Sequence, residues 1–121
     1  GVSRGKVGVL GLTFKEDVPD IRNSKVIDVI AGLRGAGLSV HVHDPHADPA
    51  EVRHEYGFDI EPLSALKDCD AVVLAVPHKE LIEHGWQLVA SCLKGGKGLA
   101  FDVRARLDPA ARPAAIDLWR L

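Results

Sequence analysis

Lys15, Asp17, Asp20 and Arg22 crowd into one short polar stretch between an apolar run, Val7–Leu10, and a helical pattern that opens at Asn23-Ser24. Gly11 marks where the apolar run stops. A strand, a wide loop and a helix in that order hold these side chains over the strand's carboxyl end, where open parallel sheets take their ligands. Lysine offers a flexible point charge and arginine a planar fork, both suited to phosphate oxygens. A helix N-terminus facing the same space adds free N–H groups and a positive dipole end. The chemistry this implies is recognition of a phosphate-bearing small molecule. On residues alone Lys15 reads equally as a solvated side chain paired with Glu16 or Asp17. Asp20 could accept amides of its own loop or cap the helix with Asn23, and Arg22 could bridge to Asp20 or reach a phosphate.

Other constellations fall short of a known chemistry. A dinucleotide loop needs three glycines after the first strand. Here only Gly11 fits, with Val9 and Phe14 where the others belong. Asp44, ending a second strand, stands where an acid would hold a ribose hydroxyl, but an Asp-Pro turn is the preferred reading. His41, His43 and His46 cluster, and His41 and His43 alternate along a strand with room for an ion. No cysteine or carboxylate completes a familiar ligand spacing, so no metal is expected. Cys69 and Cys92 lie far apart and read as core filling. There is no GxSxG elbow, and GGKG at 95–98 lacks the rest of a phosphate-binding loop. His78-Lys79 follows the central strand, as ligand contact or as helix start.

The elements that must position these groups follow from periodicity. Lys6–Leu10 reads as a buried strand, and Val26, Ile27, Val29, Ile30 and Leu33 as one face of a helix capped by Asn23 or Ser24. Leu38–His43 alternates as a second strand. Asp48-Pro49-Ala50-Glu51 starts a helix that runs to about Tyr56, with Gly57 beyond. Phe58–Ile60 reads as a short strand, Leu63–Lys67 as a turn or two of helix, and Ala71–Val76 as the central strand. Helical segments begin at Lys79–Glu83 and again at Trp86–Leu93, and Leu99–Val103 is a strand. Asp108–Arg112 is a turn or short helix, and Ile116–Trp119 a closing strand or an extended tail. Strands alternating with helices predict an α/β fold: a doubly wound, mostly parallel sheet with helices on both faces.

At 121 residues, residues 1–121 form a single domain with room for a core. Hydrophobic content of 46%, charged content of 26% and a formal charge of −2 are ordinary for a globular chain. They offer no case for nucleic acid, and no apolar stretch reaches membrane-spanning length, so a cytoplasmic location is expected. The start at Gly1 and the lack of methionine suggest an excised fragment.

FKEDVPDIR, following VGVLGLT, resembles the signature that opens the C-terminal, UDP-binding domain of UDP-glucose/GDP-mannose dehydrogenases. HDPHAD, DAVVLAVPHKEL and FDVRARLD agree in order and spacing, so the resemblance covers nearly the whole chain. FKEDVPDIRNSKV and HDPHADPAEVRHEYG look most like the branch that oxidises UDP-N-acetylhexosamines. The resemblance implies a Rossmann-like domain of an NAD-dependent nucleotide-sugar 6-dehydrogenase serving polysaccharide precursor synthesis. Such enzymes take a UDP-sugar's 6-hydroxymethyl to a carboxylate through a cysteine thioester, using two NAD. Their N-terminal domain binds NAD, and a central helical region builds the homodimer, or a higher oligomer, and most of the catalytic site. This chain would then carry no catalytic residue. Its substrate contacts would come from Phe14, Lys15, Glu16, Asp17 and Asp20 of the loop and from Arg104. Arg22 would face the NAD side of the domain interface. Arg106, two residues from Arg104, would share its face if the strand continued, and either could point into the site. A freestanding nucleotide-binding module and a small NAD-binding regulatory domain are the rival readings.

Overall fold

A computed structural model describes residues 5–120. Five strands form one parallel sheet: β1 (Lys6–Leu10), β2 (Ser39–His43), β3 (Ala71–Leu74), β4 (Gly98–Asp102) and β5 (Ile116–Arg120), in the order β2-β1-β3-β4-β5. The three α-helices are α1 (Val26–Gly35), α2 (Pro49–Tyr56) and α3 (Lys79–Cys92). The register pairs Val7 with Val40 on one side and with Ala71 on the other, which makes β1 a central strand. Buried on both faces, β1 from Val7 onward and all of β3 are apolar.

Alternation along the strands sends successive residues to opposite faces, and each face has its own core. Val7, Val9, Val40, Val42 and Val73 meet Val26 and Ile30 of α1 and Val52 of α2. Leu10, Val72, Leu74, Ala100 and Ile116 meet Leu81, Leu88, Val89 and Cys92 of α3. Each large side chain buried this way contributes about 1.5–3 kcal/mol. Among the described residues, no helix is long and apolar enough to cross a membrane.

Several expectations need correction. Neither Asn23 nor Ser24 caps α1. Asn23 has φ of 58°, the Ser24 hydroxyl donates to the Leu12 carbonyl at 2.5 Å, and the helix starts from Lys25 with no side-chain cap. Phe58–Ile60 is not a strand. Its side chains pack on the edge of the α1 core, and Glu61 N–H donates to Val42 O without forming a ladder. By contrast, α3 is two helical segments, as read from the sequence, joined at Gly85, whose backbone (φ 44°, ψ −121°) is not helical. Ile116–Trp119 pairs with β4 over Gly98–Asp102, so it is the closing strand rather than a tail.

Candidate functional site

Chain direction across the sheet reverses between β1 and β3, since β2 lies outside β1 while β4 and β5 continue beyond β3. Loops leaving these strands diverge at such a switch point and open a crevice. A cleft of about 550 Å³ lies there. Its walls are Thr13, Phe14 and Lys15 from the loop after β1, Val26 and Val29 from α1, Ala75 and Val76 after β3, and Val103 and Arg104 after β4. The lining is mostly apolar and holds three cations, Lys15, Arg104 and Lys25, the last just before α1. Phe14 leaves 52% of its surface exposed, an apolar ring with no core to enter.

The loop owes its shape to a buried polar knot. Gly11, at φ 97°, lets β1 turn where any Cβ would lie 2.6 Å from Val76 Cβ and 2.7 Å from Val76 N. Asp44, at the end of β2, is 4% exposed. Its Oδ2 accepts Leu12 N–H at 2.6 Å and Thr13 N–H at 3.1 Å, and its Oδ1 accepts His46 N–H at 2.7 Å and Ala47 N–H at 2.9 Å. His78 Nε2 stands 2.8 Å from the same Oδ2. Burial pushes the Asp44 carboxyl up, but the His78 contact and the amides of Leu12 and His46 outweigh it and bring it down to about 2. Asp44 is therefore more than the end of an Asp-Pro turn: as an anion it ties two loops together.

Farther along the loop, Thr13 Oγ1 donates to the Lys15 carbonyl at 2.9 Å, and Phe14 N–H to the Asp20 carbonyl at 2.7 Å. Tyr56, from α2, donates its hydroxyl to the Ile21 carbonyl. Asp17 Oδ1 accepts Lys79 N–H at 2.7 Å, so this loop residue caps α3.

The structure brings Phe14, Lys15 and Arg104 to one cleft and leaves Glu16, Asp17 and Asp20 outside its lining. Glu16 approaches Arg104 at 4.0 Å. Asp20 accepts the Arg22 backbone N–H at 2.9 Å and receives its guanidinium through Nε at 3.1 Å and Nη2 at 3.2 Å. That pair lines a separate groove against α2, with Glu51, His54 and Glu55. Arg104 and Arg106 do not share a face. β4 ends at Asp102, Ala105 turns at φ 55°, and Arg106 lines a different hollow beside Glu16, Pro77 and Lys79. The turn is held from below: Asp102 Oδ2 accepts Leu107 N–H at 2.7 Å, and Arg120 of β5 donates to the Leu107 carbonyl at 2.5 Å.

The histidines have their own partners. His41 Nδ1 lies 2.8 Å from the Glu61 carboxylate, and His43 Nδ1 lies 2.9 Å from the Glu61 carbonyl. Asp17, His46 and His78 come within ligating distance of one another. However, the Asp17 carboxylate is engaged by Lys79 N–H, His46 Nε2 by Glu80 at 2.8 Å, and both nitrogens of His78 by the loop. Cys69 and Cys92 are buried, and burial raises both thiols above their ordinary value, which disfavours the thiolate. Among the described residues, the dinucleotide-binding pattern is not met. Phe14 stands where a glycine would let a pyrophosphate approach, and Asp44, the ribose-binding candidate, is sealed under amides.

Residues 8–109 match the UDP-glucose/GDP-mannose dehydrogenase family, UDP binding domain. The chain belongs to this family. Protein CapL of Staphylococcus aureus is 40% identical over 123 residues, which takes in 99% of this chain and 28% of CapL. A UDP-N-acetyl-D-glucosamine 6-dehydrogenase of Salmonella typhi is 43% identical over 69% of the chain, and one of Pseudomonas aeruginosa 33% identical over 88%. The chain spans 20% and 25% of those two relatives, so about a quarter of a family member's length. Among solved structures, the NDP-N-acetyl-D-galactosaminuronic acid dehydrogenase of Methanosarcina mazei Go1 shares the fold with a TM-score of 0.83. At 22% identity, it covers 97% of this chain and 24% of its own. The family's UDP-binding fold is the parallel α/β sheet that the alternation of elements predicts.

Sequence reasoning missed the roles of Asp44 and Thr13. The contacts that tie the loops together, Asp44 to Leu12 and Thr13 and His78 to both Asp44 and Thr13, span more than thirty positions, and the local sign was a polar residue at the end of an apolar run.

Proposed function

We propose that this chain is the UDP-sugar-binding domain of an NAD-dependent nucleotide-sugar 6-dehydrogenase, with residues 1–121 forming that single domain. The observation that carries the reading is the convergence of Lys15 and Arg104 on the switch-point cleft, although 89 positions separate them in the chain. Lys15 and Arg104 meet the diphosphate from two sides, and the apolar wall with Phe14 covers the nucleoside. Glu16 acts through its hold on Arg104, Asp17 through its cap on α3, and Asp20 by steering Arg22. Arg22 serves the interface on which NAD lies, while NAD's main site, the cysteine nucleophile and the proton-transfer groups belong to other parts of the enzyme. This chain's share of catalysis is to bind and orient the sugar nucleotide and to keep water from it. The relatives named for UDP-N-acetyl-D-glucosamine support an N-acetylhexosamine as the sugar. A homo-oligomer in the cytoplasm completes the proposal.

The test is calorimetric titration of the intact protein with UDP and, separately, with NAD. A charge-assisted hydrogen bond contributes roughly 1.5–3 kcal/mol, about ten- to a hundredfold in affinity. Lys15→Ala and Arg104→Ala each weaken UDP by about that factor and leave NAD nearly unchanged, whereas Arg22→Ala does the reverse. Arg104→Lys restores little, because an ammonium cannot reproduce a fork. UDP binding to Lys15→Ala protein as tightly as to the parent, with melting unchanged, refutes the assignment.

A further inference from the structure

His78 is fully buried and follows Pro77 at the start of α3. Its partners determine its protonation. Asp17 N–H points at Nδ1 from 2.9 Å, and an amide can only donate, so Nδ1 presents a bare lone pair. The proton therefore sits on Nε2, which faces the anionic Asp44 Oδ2 at 2.8 Å and Thr13 Oγ1 at 3.0 Å. Other titratable groups surround the ring: the Asp17 carboxylate caps the next residue, and the His46 ring lies beside it, tilted, at a centroid distance of 4.6 Å and itself bound to Glu80.

This one ring holds the loop on both sides of Lys15. Upstream, Nε2 touches Thr13, whose hydroxyl donates to the Lys15 carbonyl. Downstream, Nδ1 receives the N–H of Asp17, whose backbone is held at φ 62°. The left-handed region is disfavoured for L-residues, though less for Asp than for most, so without the His78 contact Asp17 is free to leave it. Releasing it would reorient the peptide that follows Lys15 and swing the cation from the cleft.

We infer that His78 is a positioning residue for UDP recognition: its unprotonated Nδ1 pins Asp17 and so fixes where Lys15 meets the diphosphate. The inference rests on the reading of the cleft given above. It also gives each ring nitrogen a main task, placement of Asp17 to Nδ1 and the contact with Asp44 and Thr13, chiefly a matter of stability, to Nε2.

Two substitutions separate those tasks in the intact protein. The Asn side chain can set an oxygen where Nδ1 lies, keeping the acceptor for Asp17 and giving up Asp44. The Gln side chain can set an amide N–H near Nε2, keeping Asp44 and giving up Asp17. His78→Gln is expected to weaken UDP binding by about tenfold while melting close to the parent. His78→Asn is expected to melt at a lower temperature yet to recover most of that affinity. A double-mutant cycle adds a readout that a purely structural role would not move. In a Lys15→Ala background, His78→Gln should cost about twofold or less, because the cation it positions is gone. Equal losses in the two backgrounds overturn the inference. So does a His78→Asn protein that still unfolds cooperatively but binds UDP no better than His78→Gln. If His78→Gln does not fold, His78→Asn decides alone, judged against the parent. Failure of the cleft reading itself looks different, since Lys15→Ala would then leave UDP affinity untouched.

Discussion

Replacing Asp44 by Asn tests the knot beneath the loop. The change keeps the shape of the side chain and removes its charge. One carboxylate oxygen becomes an NH₂ facing donors, either Leu12, Thr13 and His78 or His46 and Ala47. Hydrogen bonds to a charged group contribute about 1.5–3 kcal/mol each, so losing two of them costs about 3–6 kcal/mol, a large part of the 5–15 kcal/mol that a domain has. Titration gives a second measure. Asp44 falls from the ordinary 3.8 to about 2, so its folded form is the stronger acid. The stability this brings is present above pH 3.8 and lost as pH falls toward 2. At about 1.4 kcal/mol per pH unit, it amounts to roughly 2–3 kcal/mol. Urea unfolding followed by circular dichroism between about pH 2 and pH 6 supplies the curve for each protein. Other carboxylates contribute to the acid slope of both proteins, so the difference between them isolates Asp44. The parent should lose roughly 2–3 kcal/mol more than Asp44→Asn across that window. Parallel curves, or an Asp44→Asn protein within about 1 kcal/mol of the parent at pH 6, would refute the account of the knot.

Gly11→Ala combines a forbidden φ with overlap onto the Val76 backbone, and should cost about 3–5 kcal/mol in urea. An unchanged midpoint would show that the crossing is looser than described. For the intact enzyme, kcat/KM should favour UDP-N-acetylglucosamine or UDP-N-acetylgalactosamine over UDP-glucose by tenfold or more, and a lead for UDP-glucose would contradict the proposed branch.

Legibility from sequence followed the range of the interactions. The start of α2 could be read because everything it needs is adjacent: Asp48 accepts Ala50 N–H, Pro49 takes the first helical position, and Gly57 ends the helix at φ 78°. β1 and β3 could be read because burial on both faces demands apolar runs, and β2 because its Val residues alternate with polar ones. The start of α1 misled because a long-range bond overrode a local rule, with the Ser24 hydroxyl going to Leu12 rather than to its own helix. Arg104 and Arg106 could not be separated because period-two reasoning holds only while a strand lasts, and β4 ends two residues before Arg104. For Lys15 the residue type and loop were visible, but not the buried side chains that aim it. Those contacts join Thr13 and the Asp17 N–H to His78, pairs that no spacing rule connects.

The all-parallel order of the sheet sets a schedule for folding. No two neighbouring strands can zip together through a tight turn, since each pairing waits for a crossover. β1 precedes the others along this chain, yet one of its flanks stays bare until Ala71–Leu74 has been made. The loop that leaves β1 waits longer, because the ring that holds Asp17 comes after β3 and the Arg104 turn waits for Arg120 of β5. Topologies of this kind fold slowly, since loop closure must be met before distant contacts repay it. During synthesis at roughly 5–20 residues per second, the segment carrying Lys15 spends seconds outside its final shape. Within this domain the ligand loop is made before the elements that order it, so competence to bind marks the end of the domain's folding rather than a stage on the way.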